Sequence, residues 1–172
     1  MTATAAPGPG FLTRWGLAVV SPRNALVLAD DPSAAGRAAG DLVRAIAVVL
    51  LAAHTRELVA AGWVAFEVGV RAAAPAFLRA LSGASMFGLV FVLVASLVVS
   101  VGAGRQRHLG RDFDLACVAA LAPVTVTLVA ALWARAVMPL GATGRGVVLL
   151  AALGWGGALT ALAVTFARRR VA

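Results

Sequence analysis

Seven carboxylates, two histidines and one cysteine are the side chains from which this chain could build acid–base, metal or nucleophilic chemistry. The tightest group is His54, Arg56 and Glu57, set inside a long apolar stretch. On a helix His54 and Glu57 are three apart and can meet, whereas Arg56 diverges from its neighbour and needs another partner. Ionisable groups at membrane depth are costly, so they face protein or water and are paired. Two readings follow. In one, the cluster lines a proton or ion path or touches a ligand. In the other, it marks a helix break or a salt bridge that docks the helix onto a neighbouring subunit. The His54 imidazole could also ligate a pigment magnesium or a haem iron. A bis-histidine haem would need a second buried histidine, and His108 lies in an arginine-rich loop. No metal, pigment or haem is therefore expected.

The other candidates read as structure. Glu67 and Arg71 are four apart, in the order that suits an ion pair at a helix end. Asp112 and Asp114 fall on different sides of a helix, and Asp114 is placed to cap a helix beginning at Leu115. A lone Cys117 excludes an internal disulfide and reads as a packed thiol. No phosphate-cradling glycine loop, zinc motif or nucleophile elbow is present. The chain is not expected to be an enzyme, and no catalytic residue is assigned.

The elements that carry these residues follow from composition. The 172 residues are 62% hydrophobic and only 13% charged, about half the charged share of a soluble domain. A soluble fold of this size cannot hide that much apolar surface. The net charge is +8, with every positive side chain an arginine. Those arginines sit at the ends of apolar runs, where anionic headgroups and topology explain them. Nucleic acid is not an expected partner.

The expected fold is all-α, a polytopic membrane protein with four transmembrane helices and a fifth possible. Residues 1–10 read as a flexible tail without the basic region of a secretory signal. Residues 11–41 read as an N-terminal segment. Within it 11–20 suit a short interfacial helix, with Trp15 at headgroup level, or a stretch packed on a partner protein, and Ser21-Pro22-Arg23 stops it. Asp31 can cap a helix start at Pro32. Residues 42–172 form the membrane domain, with spans at about 42–70, 84–103, 115–134 and 146–167. The first, at about 43 Å, fits either one tilted helix or two shorter elements broken at residues 54–57; unbroken, it puts His54, Arg56 and Glu57 near mid-membrane. Pro123 interrupts the third, its freed carbonyl available to Thr127 or a neighbour.

Arginine counting orients the bundle. With four spans, Arg14, Arg23, Arg37, Arg44, Arg105, Arg107, Arg111, Arg168, Arg169 and Arg170 share one side, against Arg71, Arg79, Arg135 and Arg145 on the other. With five spans the split is seven to eight. The positive-inside rule then favours four spans in an inner membrane, both termini cytoplasmic. Small residues at four-residue spacing mark packing faces: Ser96, Ser100 and Gly104, Ala152 with Gly156, and Gly157 with Ala161.

Two segments carry a family likeness. One is WGLAVVSPRNALVLADDPS at 15–33, a Ser-Pro-Arg step and then Asp-Asp-Pro before the first span. The other is DFDLACVAALAPVTVTLVAAL at 112–132, a polar loop feeding a helix with an internal proline. Together they resemble the Yip-type (Rab-interacting) membrane domain family in its bacterial branch. The resemblance implies an all-helical scaffold without known catalysis and supplies no site residues. The expected role is a non-catalytic subunit or scaffold of a larger membrane complex, such as a respiratory or photosynthetic accessory subunit. Its expected partners are other membrane subunits and anionic lipids. The alternative is a small oligomeric transporter or channel using His54, Arg56 and Glu57.

Overall fold

A computed structural model describes residues 9–104 and 108–169, with nothing described of the side chains of Ala34, Gly83, Ala84 and Ser85. Residues 1–8 of the tail expected at 1–10, and Arg105, Arg107 and Arg170 of the charge count, lie outside the described residues. The described chain is helical throughout: α1 Phe11–Val20, α2 Pro22–Ala29, a 3-10 turn Pro32–Ala34, α3 Arg37–Glu67, α4 Val70–Gly102, α5 Leu109–Ala136 and α6 Ala142–Arg168.

Contacts between the long helices give their directions. The Gly36 amide donates to Asp114 and Arg135 donates to Ala52, so α3 and α5 run parallel. Gly88 of α4 lies beside Ile46 of α3, and Gly156 of α6 beside both Phe91 of α4 and Pro123 of α5. Arg168 donates to the Gly102 carbonyl at 2.9 Å, which puts the last turns of α4 and α6 together. The result is an up-down-up-down bundle, with the start of α3 and the end of α6 at the same end.

Helix α5 is the centre. Every residue from Asp114 to Val124 is buried. A helix apolar on all sides needs cover on all sides, and α1 with α2 completes the ring that α3, α4 and α6 begin. Trp15 and Ala18 of α1 and Ala25, Leu26 and Ala29 of α2 are buried in the same core as Leu115, Val118 and Leu121. The short helix at 11–20 therefore forms as expected, but Trp15 packs on this chain's own α5 and not among headgroups. Its indole Nε1 donates to Thr125 Oγ1 at 2.9 Å.

Among the described residues three helices are long and apolar enough to cross a membrane: α4, α5 and α6. The first expected span takes the second of its two forms, two shorter elements broken at His54. His54 adopts φ −121° and ψ 17°, which kinks α3 between residues 37–53 and 55–67. At 1.5 Å per residue these arms are about 25 and 20 Å long, each short of a hydrocarbon core of roughly 30 Å. The second expected span starts earlier than read, because residues 70–83 are helix and not loop. Gly69, at φ +111°, makes the tight α3–α4 turn, a conformation that favours glycine.

Helix α5 also starts earlier than read, at Leu109, so Asp114 lies inside it and caps nothing at Leu115. It accepts from Gly36 instead, at 2.8 Å. Thr127 does not reach the carbonyl that Pro123 leaves unbonded, since its hydroxyl donates to Val124 at 2.8 Å.

Of the expected packing faces, Ala152 and Gly156 turn inward with Thr160 and Ala163, whereas Gly157 and Ala161 face outward. On α4 the buried line is Val92, Ala95, Val99 and Ala103. Ser100 is buried beside it, and Ser96 is half-buried with its hydroxyl donating to its own helix at Leu93. Gly104 lies past the end of α4 at φ +67° and belongs to a turn rather than to a helix face.

Candidate functional site

Two polar groups sit at opposite ends of the bundle. The first is the one the sequence points to. His54 Nδ1 and Glu57 Oε2 pair across one helical turn, as their spacing predicts. Thr55 donates its hydroxyl back to Leu51. Arg135, in the last turn of α5, reaches across to the Ala52 carbonyl and to Thr55 Oγ1. Its guanidinium thus holds the kink from the side, and hydrogen bonds to a charged group are among the stronger ones.

Arg56 and Glu57 line a cleft of about 210 Å³ with Ala53, Ala134 and Arg135. Arg135 is one residue from the end of α5. His54, Arg56 and Glu57 are therefore level with the last turn of α5 and not with its middle. Among the described residues no three His, Cys, Asp or Glu side chains stand together as a metal site. His54 keeps only Nε2 beyond the nitrogen that Glu57 engages.

Past this level α3 and α4 continue as a two-helix arm, residues 55–67 and 70–82. Ala61, Ala73 and Ala80 are its buried positions, small enough for close helix approach. Outward it carries Val59, Trp63, Phe66, Val68, Val70 and Leu78, all exposed. Trp63 and Phe66 pair near the tip with ring centroids 6.2 Å apart. Glu67 and Arg71 flank the Val68–Gly69 turn on separate helices, and no ion pair joins them among the described residues. Sequence reasoning missed this arm. The signal was available: Val68-Gly69-Val70 is one glycine between two apolar helical runs.

No known protein family, curated protein or solved structure matches the chain. Its chemistry is therefore read from its own geometry.

The second polar group ties the N-terminal segment down. Asp41, buried in α3, takes Arg14 in a two-point contact, Nε to Oδ2 at 2.5 Å and Nη2 to Oδ1 at 2.7 Å. Arg44 adds a longer contact at 3.4 Å and lies over the Phe11 ring at 5.9 Å. Asp30 of this segment pairs with Arg111 of α5 at 2.8 Å. The hydrogen bond to Asp41, and then its charge, raise the Arg14 pKa against the opposing effect of burial. Arg14 stays protonated at any ordinary pH. Asp31 caps the 3-10 turn as expected, accepting from the Ser33 amide at 2.9 Å. That backbone hydrogen bond is the main reason its carboxyl is held below its usual range.

These contacts connect sequence positions far apart, such as Arg14 with Asp41 and Asp30 with Arg111. Spacing along one helix gives no sign of them. Removing the indole donor tests the simplest of these ties. Trp15→Phe should cost about 1 kcal/mol of unfolding free energy, the net value of one hydrogen bond, with helix content unchanged by circular dichroism in detergent. An unchanged unfolding midpoint would show that the Trp15–Thr125 bond contributes nothing.

Proposed function

We propose that the chain is an integral membrane protein of four spans, in which the first arm of α3, about 5 Å short of the hydrocarbon core and accommodated by local thinning of the bilayer, joins α4, α5 and α6. Its role is to dock other membrane protein subunits, without catalysis, through the arm at 55–82. The arm carries this reading. It is two short apolar helices that bury alanines between them and leave Trp63, Phe66 and Val70 uncovered. Exposed apolar patches of this kind mark contact sites, and buried tryptophans dominate interface energies.

The arginine distribution supports an orientation with both termini on the cytoplasmic side of an inner membrane. The arm then projects by about 20 Å on the other side, where a partner covers it. A scaffold of this kind is also what the Yip-type resemblance implies, and it fits an accessory subunit of a respiratory or photosynthetic complex. The oligomeric pore has less support, because His54, Arg56 and Glu57 lie at the end of the bundle and not along it.

The test is purification from the native membrane in mild detergent, with co-purifying proteins identified by mass spectrometry. A stoichiometric partner set is expected, and the double variant Trp63→Ser, Phe66→Ser should lower its yield about tenfold or more, the loss of one hot spot at 1.4 kcal/mol per decade. A homo-oligomer free of partners, or a partner set indifferent to the double variant, would overturn the reading.

A further inference from the structure

The cover that α1 and α2 give to α5 stops part-way. Burial on α5 is unbroken to Val124, and Trp15 marks the upper edge of the cover by its bond to Thr125. Beyond that edge α5 and α6 form the walls of an open cleft of about 400 Å³, lined by Val126, Val129 and Trp133 from α5 and by Val148, Ala151 and Trp155 from α6. The Thr125 hydroxyl is the one side-chain hydroxyl in its lining, and it is already engaged. It donates to the Leu121 carbonyl at 2.7 Å and accepts from Trp15 at 2.9 Å.

Such a cleft cannot recognise a polar ligand. It does not hold ordered water either, which needs two to four polar partners. Its chemistry fits a hydrocarbon chain. A charge lies in the cleft next to it. Arg145, in the first turn of α6, donates Nε to the Leu140 carbonyl at 3.2 Å, and Leu140 lines the cleft. Arg145 itself lines an adjoining cleft with Phe87, Thr127 and Ala152, and the two clefts share Leu140 and Val148. Among the described residues Nε is the only engaged nitrogen of Arg145. Asp30, Asp31, Asp41, Asp112 and Asp114 belong to the opposite end of the bundle, with the start of α3 and α5, whereas Glu57, nearer this end, is paired with His54 and lines a separate cleft with Arg135. An anion at Arg145 therefore meets no carboxylate from α5 or α6.

We propose that this cleft is a binding site for one anionic phospholipid, its acyl chain lying between α5 and α6 and its phosphate held by Arg145. The site rests on the membrane placement of the chain and is independent of the docking role of the arm. Its test therefore uses the purified chain alone.

The chain is reconstituted in phosphatidylcholine vesicles containing a minor fraction of phosphatidylglycerol, re-extracted, and weighed by native mass spectrometry. One phosphatidylglycerol per chain is expected, enriched about tenfold over the vesicle composition. Ala151→Phe, which fills the cleft, should abolish retention of either lipid. Arg145→Gln should return the retained ratio to that of the vesicle. Retention unaffected by Ala151→Phe, or a wild-type ratio equal to that of the vesicle, would overturn the site. So would recovery of a neutral isoprenoid in its place from the native membrane.

A second readout needs no cleft-filling variant. Phosphatidylglycerol brominated on its acyl chains should quench tryptophan fluorescence at a mole fraction where brominated phosphatidylcholine does not. Trp155→Phe should remove most of the difference. Equal quenching by the two lipids would also overturn the proposal.

Discussion

Replacing Arg14 by alanine should cost about 3 kcal/mol, the lower end of what breaking a buried ion pair costs. The reason is the environment of Asp41. Its side chain is 4% exposed, and Arg14 supplies both of its short contacts. The one contact that survives is to Arg44, at 3.4 Å and 62% exposed, which is too long and too solvated to replace a two-point guanidinium pair. The carboxylate is left buried with most of its hydrogen-bonding capacity unmet. The damage should be local first. Helices α1 and α2 lose one of their polar ties, and proteolysis or hydrogen exchange over 11–35 should accelerate before the bundle melts. Controls separate charge from packing. The double variant Arg14→Met, Asp41→Leu removes both charges and keeps apolar volume, so it should lie within about 1 kcal/mol of the parent. Asp41→Asn should fall between the two. A single Arg14→Ala variant within about 0.5 kcal/mol of the parent, by denaturation in detergent, would show that the pair is solvated in solution.

The limits of sequence reasoning here are physical. Helix type and the three clear spans were legible, because twenty or so apolar residues in a row have few other solutions. The pairing of His54 with Glu57 was legible too, because it is local to one turn. The break at residues 54–57 was legible as one of two alternatives, but not which of them forms; Arg135 of α5 bonds the kinked stretch at Ala52 from 83 residues away. Two other things were not legible. The burial of Asp41 depends on Arg14 folding back across 27 residues. The inward or outward facing of small residues depends on where the neighbouring helix lies. Ala152 with Gly156 and Gly157 with Ala161 have the same spacing, yet only the first pair meets another helix. Periodicity identifies a face that can pack but does not say what packs there.

That contrast sets the other large effect. Gly156→Leu should lower stability by about 3 kcal/mol, at the upper end of overpacking costs, whereas Gly157→Leu should stay within about 0.5 kcal/mol as a surface change. A Cβ on Gly156 would lie 2.6 Å from Cζ and 2.8 Å from Cε2 of Phe91, and 3.1 Å from Cδ of Pro123. The Phe91 ring is rigid, and Pro123 belongs to the backbone of the central helix. Neither can yield without moving α4 or α5 away from α6. A Cβ on Gly157 meets nothing within 4 Å. For a chain of this length the Gly156 variant should melt about 6–12 °C lower, by thermal unfolding in a fixed detergent. Truncating the obstacle should restore part of the loss, so Gly156→Leu with Phe91→Ala should be less destabilised than the two single changes summed. Helix propensity argues the other way, since any side chain improves on glycine in a helix by up to about 1 kcal/mol. Equal melting of the 156 and 157 variants would mean that propensity governs both and that the α4–α5–α6 contact is looser than its geometry implies. If instead Gly157→Leu leaves melting unchanged but lowers partner yield, the outward face of α6 joins the arm as a docking surface.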